Sequence, residues 1–366
     1  MDKSLFSGLK NIRKTLIDKQ KNIHCENLVG AISLPLGVAG PLVIKNLPAG
    51  RQGLKFKISN YYVPLATTEG ALVASVNRGC KAVRLAGGIT VYCDYIGTAR
   101  GPVFETSGIK ESLRLKKWLT ESFSLIKKTA ELTSSHLKLI KIETKVIGRY
   151  IFARFAFDTG EAMGMNMATI ATQSIIDLIE KKTKIKCLSI AGNFDIDKKP
   201  AWLNLFQGRG RTILAEVVIP KKIVQTVLKT TSQKIFDLWL GKNIFGSIIS
   251  GSMSFNAHFA NIVAAFFAAT GQDLAHVVEG SLGLTVAKVL KNENLYFSVY
   301  LPAIMVGTVG GGTKLITQTE ARNIINIKNS QELAEVLGGA VLAGELSLLA
   351  SLAEGSLVKA HKKLGR

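Results

Sequence analysis

The sequence predicts an α+β protein in which a small unit is inserted into a larger, mixed α/β body. The chain has 366 residues, enough for two or three domains, and 47% of them are apolar, enough for a full hydrophobic core. Between residues 102 and 186 the pattern predicts a strand, a basic amphipathic helix, two strands and a second helix, an order that can fold as an insert. We therefore expect an N-terminal segment of residues 1–24, a body of residues 25–101 and 187–366, and the insert 102–186.

The first elements are predicted from changes in hydrophobic spacing. Residues 1–24 have apolar side chains three and four positions apart with basic residues between them, which predicts a short helical segment. Residues 27–46 contain short apolar runs broken by glycine and proline, which predict strands and turns. A helical stripe begins near Thr67, with Thr67 or Thr68 as the expected N-cap, so Glu69 is expected at a helix N-terminus.

The remaining elements follow from the same periodicities. In the insert, helices are expected over about 109–133 and 163–182, and strands over 137–147 and 150–157, after which a strand over 187–190 is expected to return to the body. The second half of the body alternates strand and helix. Its strands are expected over 212–219 and 295–301, and its helices over 222–238, 256–269 and 330–362.

Charge, cysteine usage and hydropathy narrow the class of protein. The formal net charge is +21, but the lysines are dispersed and no RNA-binding motif or zinc finger accompanies them, so we do not expect nucleic-acid binding, and both a solvated lysine-rich surface and attraction of a polyanionic ligand stay open. The four cysteines have no metal-like spacing and are expected to be free thiols. Apolar runs are shorter than the ~18 to 20 residues that cross a bilayer, and the start lacks the layout of a secretory signal, so we expect a cytoplasmic protein without a membrane part.

Four short segments supply, in chain order, a carboxylic acid, an ammonium, a carboxylate and an imidazole. The segments are Ala66-Thr67-Thr68-Glu69-Gly70, Asp197-Lys198-Lys199-Pro200, Gly271-Gln272-Asp273 and Leu357-Val358-Lys359-Ala360-His361. Their joint occurrence resembles the catalytic region of 3-hydroxy-3-methylglutaryl-coenzyme A (HMG-CoA) reductases of the biosynthetic class I. The resemblance runs from about Glu26 to His361.

The resemblance implies a fold, a reaction and an assembly. A large domain would bind HMG-CoA, and the inserted small domain would be ferredoxin-like and bind NADP(H). The implied reaction reduces HMG-CoA to mevalonate and free coenzyme A by two hydride transfers from NADPH, without a metal ion. The implied assembly is a homodimer or homotetramer with the active site at the subunit interface, where Glu69, Asp273 and Lys198 come from one subunit and His361 closes the site.

The resemblance also assigns a role to each of the four side chains. Glu69 is the general acid, kept protonated by burial and by a neighbouring Asp273. Lys198 stabilises the oxyanion, and Asp273 links Lys198 to Glu69 in one hydrogen-bonded set. His361 protonates the departing thiolate, since imidazole titrates near neutral pH. Taken singly, each residue also has an ordinary structural interpretation. Glu69 is typical of a carboxylate at a helix start, and Lys198 of a surface lysine. Asp273 is typical of a turn cap, and His361 of a chain end.

Two further segments resemble the dinucleotide site of the family. The first is the glycine-rich loop, residues 307–313. It matches neither a GxGxxG fingerprint nor a Walker loop, and alone it is typical of a flexible turn. The second segment is residues 161–167. Its methionines are also typical of a helix core, so Asn166 is the polar group expected to contact the cofactor. The implied cofactor-binding residues are Ser134, Glu161, Met163, Gly164, Met165, Asn166, Gly307, Thr308, Val309, Gly310 and Gly311.

The residues implied around HMG-CoA carry charge or amide groups. Arg100 can grip the free carboxylate of the acyl group through two N–H donors. Pairing of Arg78 and Arg100 with internal acids is an open alternative, as is a satisfied core position for His258. The implied substrate-binding residues are Ser75, Arg78, Arg100, Asp197, Lys199, Lys242, His258, Asn261 and Leu348.

The match to the family departs at several places, and the N-terminal region, which would contact the adenine of coenzyme A, is shorter than the family pattern. Ser135 stands where an arginine usually pairs with the 2′-phosphate of NADP, so NADH use is an open alternative. Ala191 replaces a usual serine, Glu161 replaces a usual aspartate, and the segment 253–255 is bulkier than the usual paired glycines. Oxidation of mevalonate, or binding of acyl-CoA without turnover, are the further alternatives.

Overall fold

The protein is described by a computed structural model over residues 25–46 and 57–355. The helix expected over residues 1–24 and the segment that carries His361 lie outside these described residues. The strands of the described part are β1 (Leu36–Asn46), β2 (Lys57–Ala66), β3 (Ile89–Arg100), β4 (Val103–Glu105), β5 (Lys138–Ile147), β6 (Tyr150–Asp158), β7 (Lys186–Ser189), β8 (Gly210–Ile219), β9 (Leu284–Val289) and β10 (Leu295–Ile304).

Helices pack with these strands in a mixed arrangement of mostly antiparallel neighbours, and the predicted fold class is confirmed. The α-helices of the described part are α1 (Leu72–Leu85), α2 (Ile109–Glu121), α3 (Phe123–Glu131), α4 (Met165–Thr183), α5 (Trp202–Gln207), α6 (Lys221–Thr226), α7 (Ser232–Trp239), α8 (Ser247–Ile249), α9 (Phe259–Thr270), α10 (Val277–Gly280), α11 (Ile316–Ile325) and α12 (Ser330–Glu354). A π-helical turn (Leu240–Gly246) joins α7 to α8, and a 3₁₀ turn (Leu274–His276) precedes α10.

The body is built on a mixed sheet with the strand order β2-β1-β3-β8-β10-β9. Strands β1 and β3 are parallel and the other neighbours are antiparallel. The helices α1, α9 and α12 share one hydrophobic core with this sheet. Helix α12 is apolar and long enough to span a membrane by composition, but 78% of its most apolar stretch is buried inside the fold. Its hydrophobicity is therefore that of a core helix.

Helices α1 and α12 approach each other closely at Gly79. A Cβ atom at this position would overlap the backbone carbonyl of Ala343 on α12. Close contact fixes α12 over the sheet and leaves no room for a larger residue.

The Gly79→Ala substitution should lower the free energy of unfolding by about 3 kcal/mol, because the overlap must be relieved by moving one helix. Alanine also gains about 1 kcal/mol of helix propensity over glycine, which offsets only part of this cost. Urea unfolding of both proteins measures the difference. Gly108→Ala is the matched control, since Gly108 has extended backbone and open space around its Cβ position. Equal losses in the two variants would contradict the prediction.

The insert has its own sheet and its own core. The sheet order is β7-β4-β6-β5, which is the strand order of a ferredoxin-like βαββαβ unit. Helices α2, α3 and α4 bury a separate apolar cluster against it. Strand β7, expected to return to the body, instead pairs with β4 and completes this sheet. Strand β3 connects the two parts, because its first residues pair with β8 and its last three, Thr98 to Arg100, pair with β6.

Two helices expected to be continuous are divided. The helix expected over 109–133 is interrupted at Ser122 between α2 and α3. The helix expected over 222–238 is broken into α6 and α7, because the Thr231 hydroxyl accepts from the Lys234 N–H and caps a new helix. Amphipathic spacing predicts helical phase but not such an internal cap.

Candidate active site

Lys198 lies in the loop between β7 and α5, in a turn with unusual backbone. Its φ is 56° and that of Ile196 is 48°, both in the left-handed region that residues with a Cβ rarely adopt. The turn is held from inside the protein, since the Lys198 N–H donates to Oε1 of buried Glu279 at 3.3 Å. The side-chain amide of Asn204 donates to the Ile196 carbonyl at 3.0 Å. The loop thus places the lysine side chain at a defined position.

The Lys198 ammonium pairs with Asp273, with Nζ 2.8 Å from Oδ2. The other oxygen of Asp273 accepts from the Ala275 N–H at 3.0 Å, so this residue is also the turn cap that its sequence context allows. Burial would raise the pKa of Asp273, but the hydrogen bonds from Lys198 and from Ala275 outweigh it and hold the pKa below its ordinary value. Asp273 is therefore a carboxylate that binds the lysine side chain.

A cavity of about 570 Å³ opens over this ion pair. Arg100 reaches it from the end of β3, with Nη1 3.2 Å from Asp195 Oδ2 and 3.7 Å from Asp197 Oδ2. Arg100 is thus paired with internal acids, the alternative weighed above, and it also lines the cavity. The lining residues are Arg100, Ala162, Met163, Gly164, Met165, Asn166, Met167, Asp197, Lys198, Gly271, Gln272, Asp273, Gly307, Val309, Gly310, Gly311, Gly312 and Thr313.

The glycine-rich loop forms one wall of this cavity. Its start is fixed by Gln272, whose side-chain amide donates to the Gly307 carbonyl at 3.1 Å and accepts from the Gly307 N–H at 2.9 Å. A Cβ at Gly307 would lie 2.5 Å from the Met163 nitrogen, so only glycine allows this close approach. Gly310 and Gly311 have positive φ and open space at their Cβ positions. Their backbone is accessible to a ligand.

A second cavity, of about 560 Å³, is lined by three of the other predicted substrate residues. Lys242 reaches it from the π-helical turn, and His258 and Asn261 reach it from the start of α9. The His258 ring is oriented by buried Glu345, with Nδ1 2.8 Å from Oε1. Glu69 joins this group, because Asn261 Nδ2 donates to Glu69 Oε2 at 2.7 Å.

Glu69 and Asp273 lie at opposite ends of α9. Asn261, the partner of Glu69, is in the first turn of this helix, whereas Asp273 follows its last residue. A helix of 12 residues is about 18 Å long, too long for the expected hydrogen bond between the two carboxyl groups. The expectation that one chain joins Glu69, Asp273 and Lys198 is therefore wrong. Glu69 is also exposed rather than buried.

Comparison with known proteins decides the family. The family model for hydroxymethylglutaryl-coenzyme A reductase matches residues 4–366. The 3-hydroxy-3-methylglutaryl-coenzyme A reductase of Methanocaldococcus jannaschii is 47% identical over 379 residues, covering 100% of this chain and 91% of that protein. The one of Methanothermobacter thermautotrophicus is 45% identical over 364 residues, covering 98% and 89%. The chain belongs to the HMG-CoA reductase family.

The fold of the family is also seen in a solved structure. The class II HMG-CoA reductase of Streptococcus pneumoniae, solved with NADPH bound, superposes with a TM-score of 0.71 at 19% identity, covering 90% of this chain and 87% of that one. At this identity the likeness concerns the fold alone.

Some residues implied by the HMG-CoA reductase resemblance support the site without lining it. Glu161 Oε2 accepts from the Thr308 hydroxyl at 3.0 Å and from the Ser330 N–H at 2.5 Å. Glu161 and Thr308 thus brace the glycine-rich loop against the N-terminus of α12. Ser134 accepts from the His136 N–H at 3.2 Å in the turn before β5. These three lie outside the lining of the cavity over Lys198.

Other residues implied by the resemblance join helices or stay at the surface. Ser75 and Arg78 both contact Ser347, with Oγ–Oγ 2.9 Å and Nε–Oγ 3.0 Å, and so tie α1 to α12. Burial lowers the pKa of Arg78. Leu348, next to Ser347, is partly buried. Lys199 is exposed, and its Nζ donates to the Asp197 carbonyl at 3.3 Å.

Glu69 lies before helix α1 rather than in its first turn. The helix begins at Leu72, and its N-cap, Ala71, has no side-chain cap. The expected cap fails because the Thr67 hydroxyl accepts from the Glu69 N–H at 3.0 Å in a turn ahead of the helix.

Sequence reasoning missed several charged residues beneath the site. Arg209, His276 and Glu279 are fully buried under the Lys198 turn, and Glu345 is fully buried beside His258. For His276 and Glu345 the signal in the sequence was an ionisable residue among apolar neighbours, which is rare without a buried partner, whereas Arg209 lies between glycines and gave no such signal. The apolar context of Glu345 was visible, but nothing local identified the partner.

Proposed function

We propose that this protein reduces HMG-CoA to mevalonate and free coenzyme A with two equivalents of NADPH, as a biosynthetic class I enzyme. The observation that carries the proposal is the charged Lys198–Asp273 pair at the floor of a cavity walled by an accessible glycine-rich loop. Membership of the family supports the same reaction. The proposed location is the cytoplasm, which is supported by the burial of the apolar helix α12 within the fold.

The side chains of the cavity over Lys198 suit the first step of this reaction. Hydride addition to a thioester carbonyl places negative charge on the carbonyl oxygen, and a fixed ammonium next to that oxygen lowers the barrier. Lys198 provides the ammonium, and Asp273 orients it through their ion pair. Because its pKa is lowered, Asp273 acts as the partner of Lys198 and not as the proton donor.

We propose that the inserted unit of residues 102–186 and the glycine-rich loop bind the dinucleotide. The open space at Gly310 and Gly311 lets backbone N–H groups approach a phosphate or carboxamide. Asn166 lies in the same cavity and offers an amide. Bound there, NADPH would supply the hydrides. Coenzyme A enters only as part of the substrate, and the proposed chemistry needs no metal ion.

We propose further that the complete site forms between two copies of the chain. Glu69, the proposed general acid, would come from one subunit with Lys242, His258 and Asn261, and Lys198 and Asp273 would come from the other. The separation of Glu69 and Asp273 by the length of α9 supports this division. Exposed apolar side chains beside both cavities suit a subunit interface. They are Phe206, Phe245, Ile248, Ile249 and Leu274.

Two residues in this proposal rest on the family pattern. His361, outside the described residues, would protonate the departing thiolate. Arg100 would bind the free carboxylate of the acyl group while keeping Asp195 as its internal partner. A homodimer is the smallest assembly that provides the site, and a homotetramer would contain two such dimers.

Turnover with each dinucleotide tests the reaction and the cofactor together. Ser135 is exposed and offers no charge to a 2′-phosphate, so we expect kcat/KM with NADPH to exceed that with NADH by less than about 100-fold. The measurement follows the loss of reduced nicotinamide on addition of HMG-CoA, and Ser135→Arg should raise the ratio. Consumption of two dinucleotides per HMG-CoA supports the proposed reduction. Binding of HMG-CoA without turnover with either cofactor would instead favour a non-catalytic acyl-CoA-binding homologue.

A further inference from the structure

The Lys198–Asp273 pair rests on a buried group of three charged or ionisable side chains. Glu279 lies on the short helix α10, His276 on the 3₁₀ turn before it, and Arg209 just before β8, and all three are 0% exposed. Oε1 of Glu279 is 2.7 Å from Arg209 Nη1 and 2.6 Å from His276 Nδ1. The same oxygen accepts the Lys198 N–H. One carboxylate oxygen of Glu279 therefore contacts Arg209, His276 and the backbone of Lys198.

The other contacts of this group lead to the cavity. Arg209 Nη2 is 3.0 Å from Asp197 Oδ1 and 3.0 Å from the Met165 sulfur, and both of these residues line the cavity. His276 Nε2 lies 3.7 Å from Asp273 Oδ2, the oxygen that binds Lys198. The histidine ring is thus oriented by Glu279 on one side and faces Asp273 on the other.

Three side chains of this region have the spacing of metal-ion ligands, and the Arg209 guanidinium is the cation that they surround. Ligand atoms of Asp197, His276 and Glu279 lie within 4.8 Å of one another. The Arg209 guanidinium already contacts both carboxylates. Four carboxylates, of Asp195, Asp197, Asp273 and Glu279, then face the cations Arg100, Lys198 and Arg209.

Stability alone does not account for this arrangement. Buried ion pairs are often no more stabilising than apolar side chains of equal volume, because desolvation offsets the attraction. Oε2 of Glu279 has no hydrogen-bond partner among the described residues, which adds a further cost. The left-handed backbone at Lys198 also costs free energy and must be held by its surroundings. These costs are concentrated directly beneath the reacting ammonium.

We propose that Arg209, Glu279 and His276 form a positioning triad that sets the geometry of the Lys198–Asp273 pair for reduction. Glu279 holds the Lys198 backbone in its turn, Arg209 ties Glu279 to Asp197, and His276 faces Asp273 from below. The triad touches neither substrate nor cofactor and acts through Lys198 and Asp273. This inference rests on the proposed function, since positioning is defined relative to hydride transfer.

Two substitutions that keep side-chain size test the triad. We expect Glu279→Gln and His276→Gln each to lower kcat by about 100-fold, as a misplaced reacting group would, while KM for HMG-CoA changes less than about threefold. The pH profile of kcat should also change in His276→Gln, because the ring faces Asp197, Asp273 and Glu279, two of which also pair with Arg209. Thermal unfolding is followed in parallel. A merely structural role would lower the unfolding temperature or raise KM without this selective loss of kcat.

Glu293→Gln is the matched control. Glu293 forms an ion pair with Lys221 in the body, outside the insert and outside the linings of both cavities. We expect its kcat to stay within about twofold of the wild type. Equal loss of kcat in Glu293→Gln, or kcat within about twofold of wild type in His276→Gln, would overturn the proposal. The latter variant decides the matter alone if Glu279→Gln does not fold.

A measurement without turnover separates this inference from the proposed function. Hydrogen exchange at the Lys198 N–H should quicken by at least about tenfold in Glu279→Ala, because its acceptor is removed. If the wild type does not reduce HMG-CoA, the proposed function fails, while exchange still reports whether Glu279 holds the turn. Unchanged exchange at Lys198 would overturn the triad whatever the reaction is.

Discussion

Replacing Lys198 with alanine should lower kcat for HMG-CoA reduction by about 10³-fold, because the developing oxyanion then loses its only charged donor in the proposed mechanism. Alanine is no more strained than lysine at the φ of 56°, so the turn is expected to persist. Asp273 loses its ion-pair partner, and its lowered pKa should rise toward the ordinary value. The measurement is steady-state turnover at saturating HMG-CoA and NADPH.

The control for Lys198→Ala removes a lysine with the same charge from a solvated surface. Lys222 is exposed on α6, outside the insert, and Lys222→Ala should keep wild-type kcat. Binding of HMG-CoA to Lys198→Ala, followed by calorimetry, separates lost chemistry from lost binding. Retention of more than a tenth of wild-type kcat would mean that another group stabilises the oxyanion.

Mixed dimers of two inactive variants should recover about half of the wild-type turnover if the site is shared between subunits. One chain would carry Glu69→Ala and the other Lys198→Ala. The Glu69 of the second chain then meets the Lys198 and Asp273 of the first, which restores one of the two sites. Co-expression with two different affinity tags and purification on both yields the mixed species. Each variant alone should be nearly inactive.

The matched control pairs Lys198→Ala with Asp273→Ala. Because one chain supplies both members of this ion pair, the mixed dimer contains no intact site and should remain inactive. Recovery in this control would contradict the proposed division. Absence of recovery in the first mixture, with tandem purification showing that mixed dimers form, would place Glu69, Lys198 and Asp273 within one subunit after a rearrangement of α9.

Local pattern predicted the parts of this protein that depend on short stretches of chain. The insert was predicted from the order of its helices and strands, because side-chain periodicity extends over a single element. The turn at residues 197–200 and the aspartate after Gly271 were predicted as chemically important from short motifs. The structure brings Lys198 and Asp273 to 2.8 Å, although they are far apart in sequence.

The tertiary structure decided which of the motifs meet. Sequence reasoning placed Glu69 beside Asp273, whereas the length of α9 separates them, and no local signal reports the direction of a helix within a fold. Arg78 and Ser75 were expected at the substrate, but they pair with Ser347 across α1 and α12. Polar residues on a buried helix face cannot be distinguished by pattern from residues that line a site.

The sequence by itself determined the family, the fold class and the chemical identity of the reactive pair, because these depend on residue types and short spacings. Only the tertiary structure decided the separation of the two cavities and the buried support of Lys198. That support comes from Glu279, which is 81 positions away from Lys198. Burial and ion pairing depend on which elements pack together, and that information is spread over the whole chain.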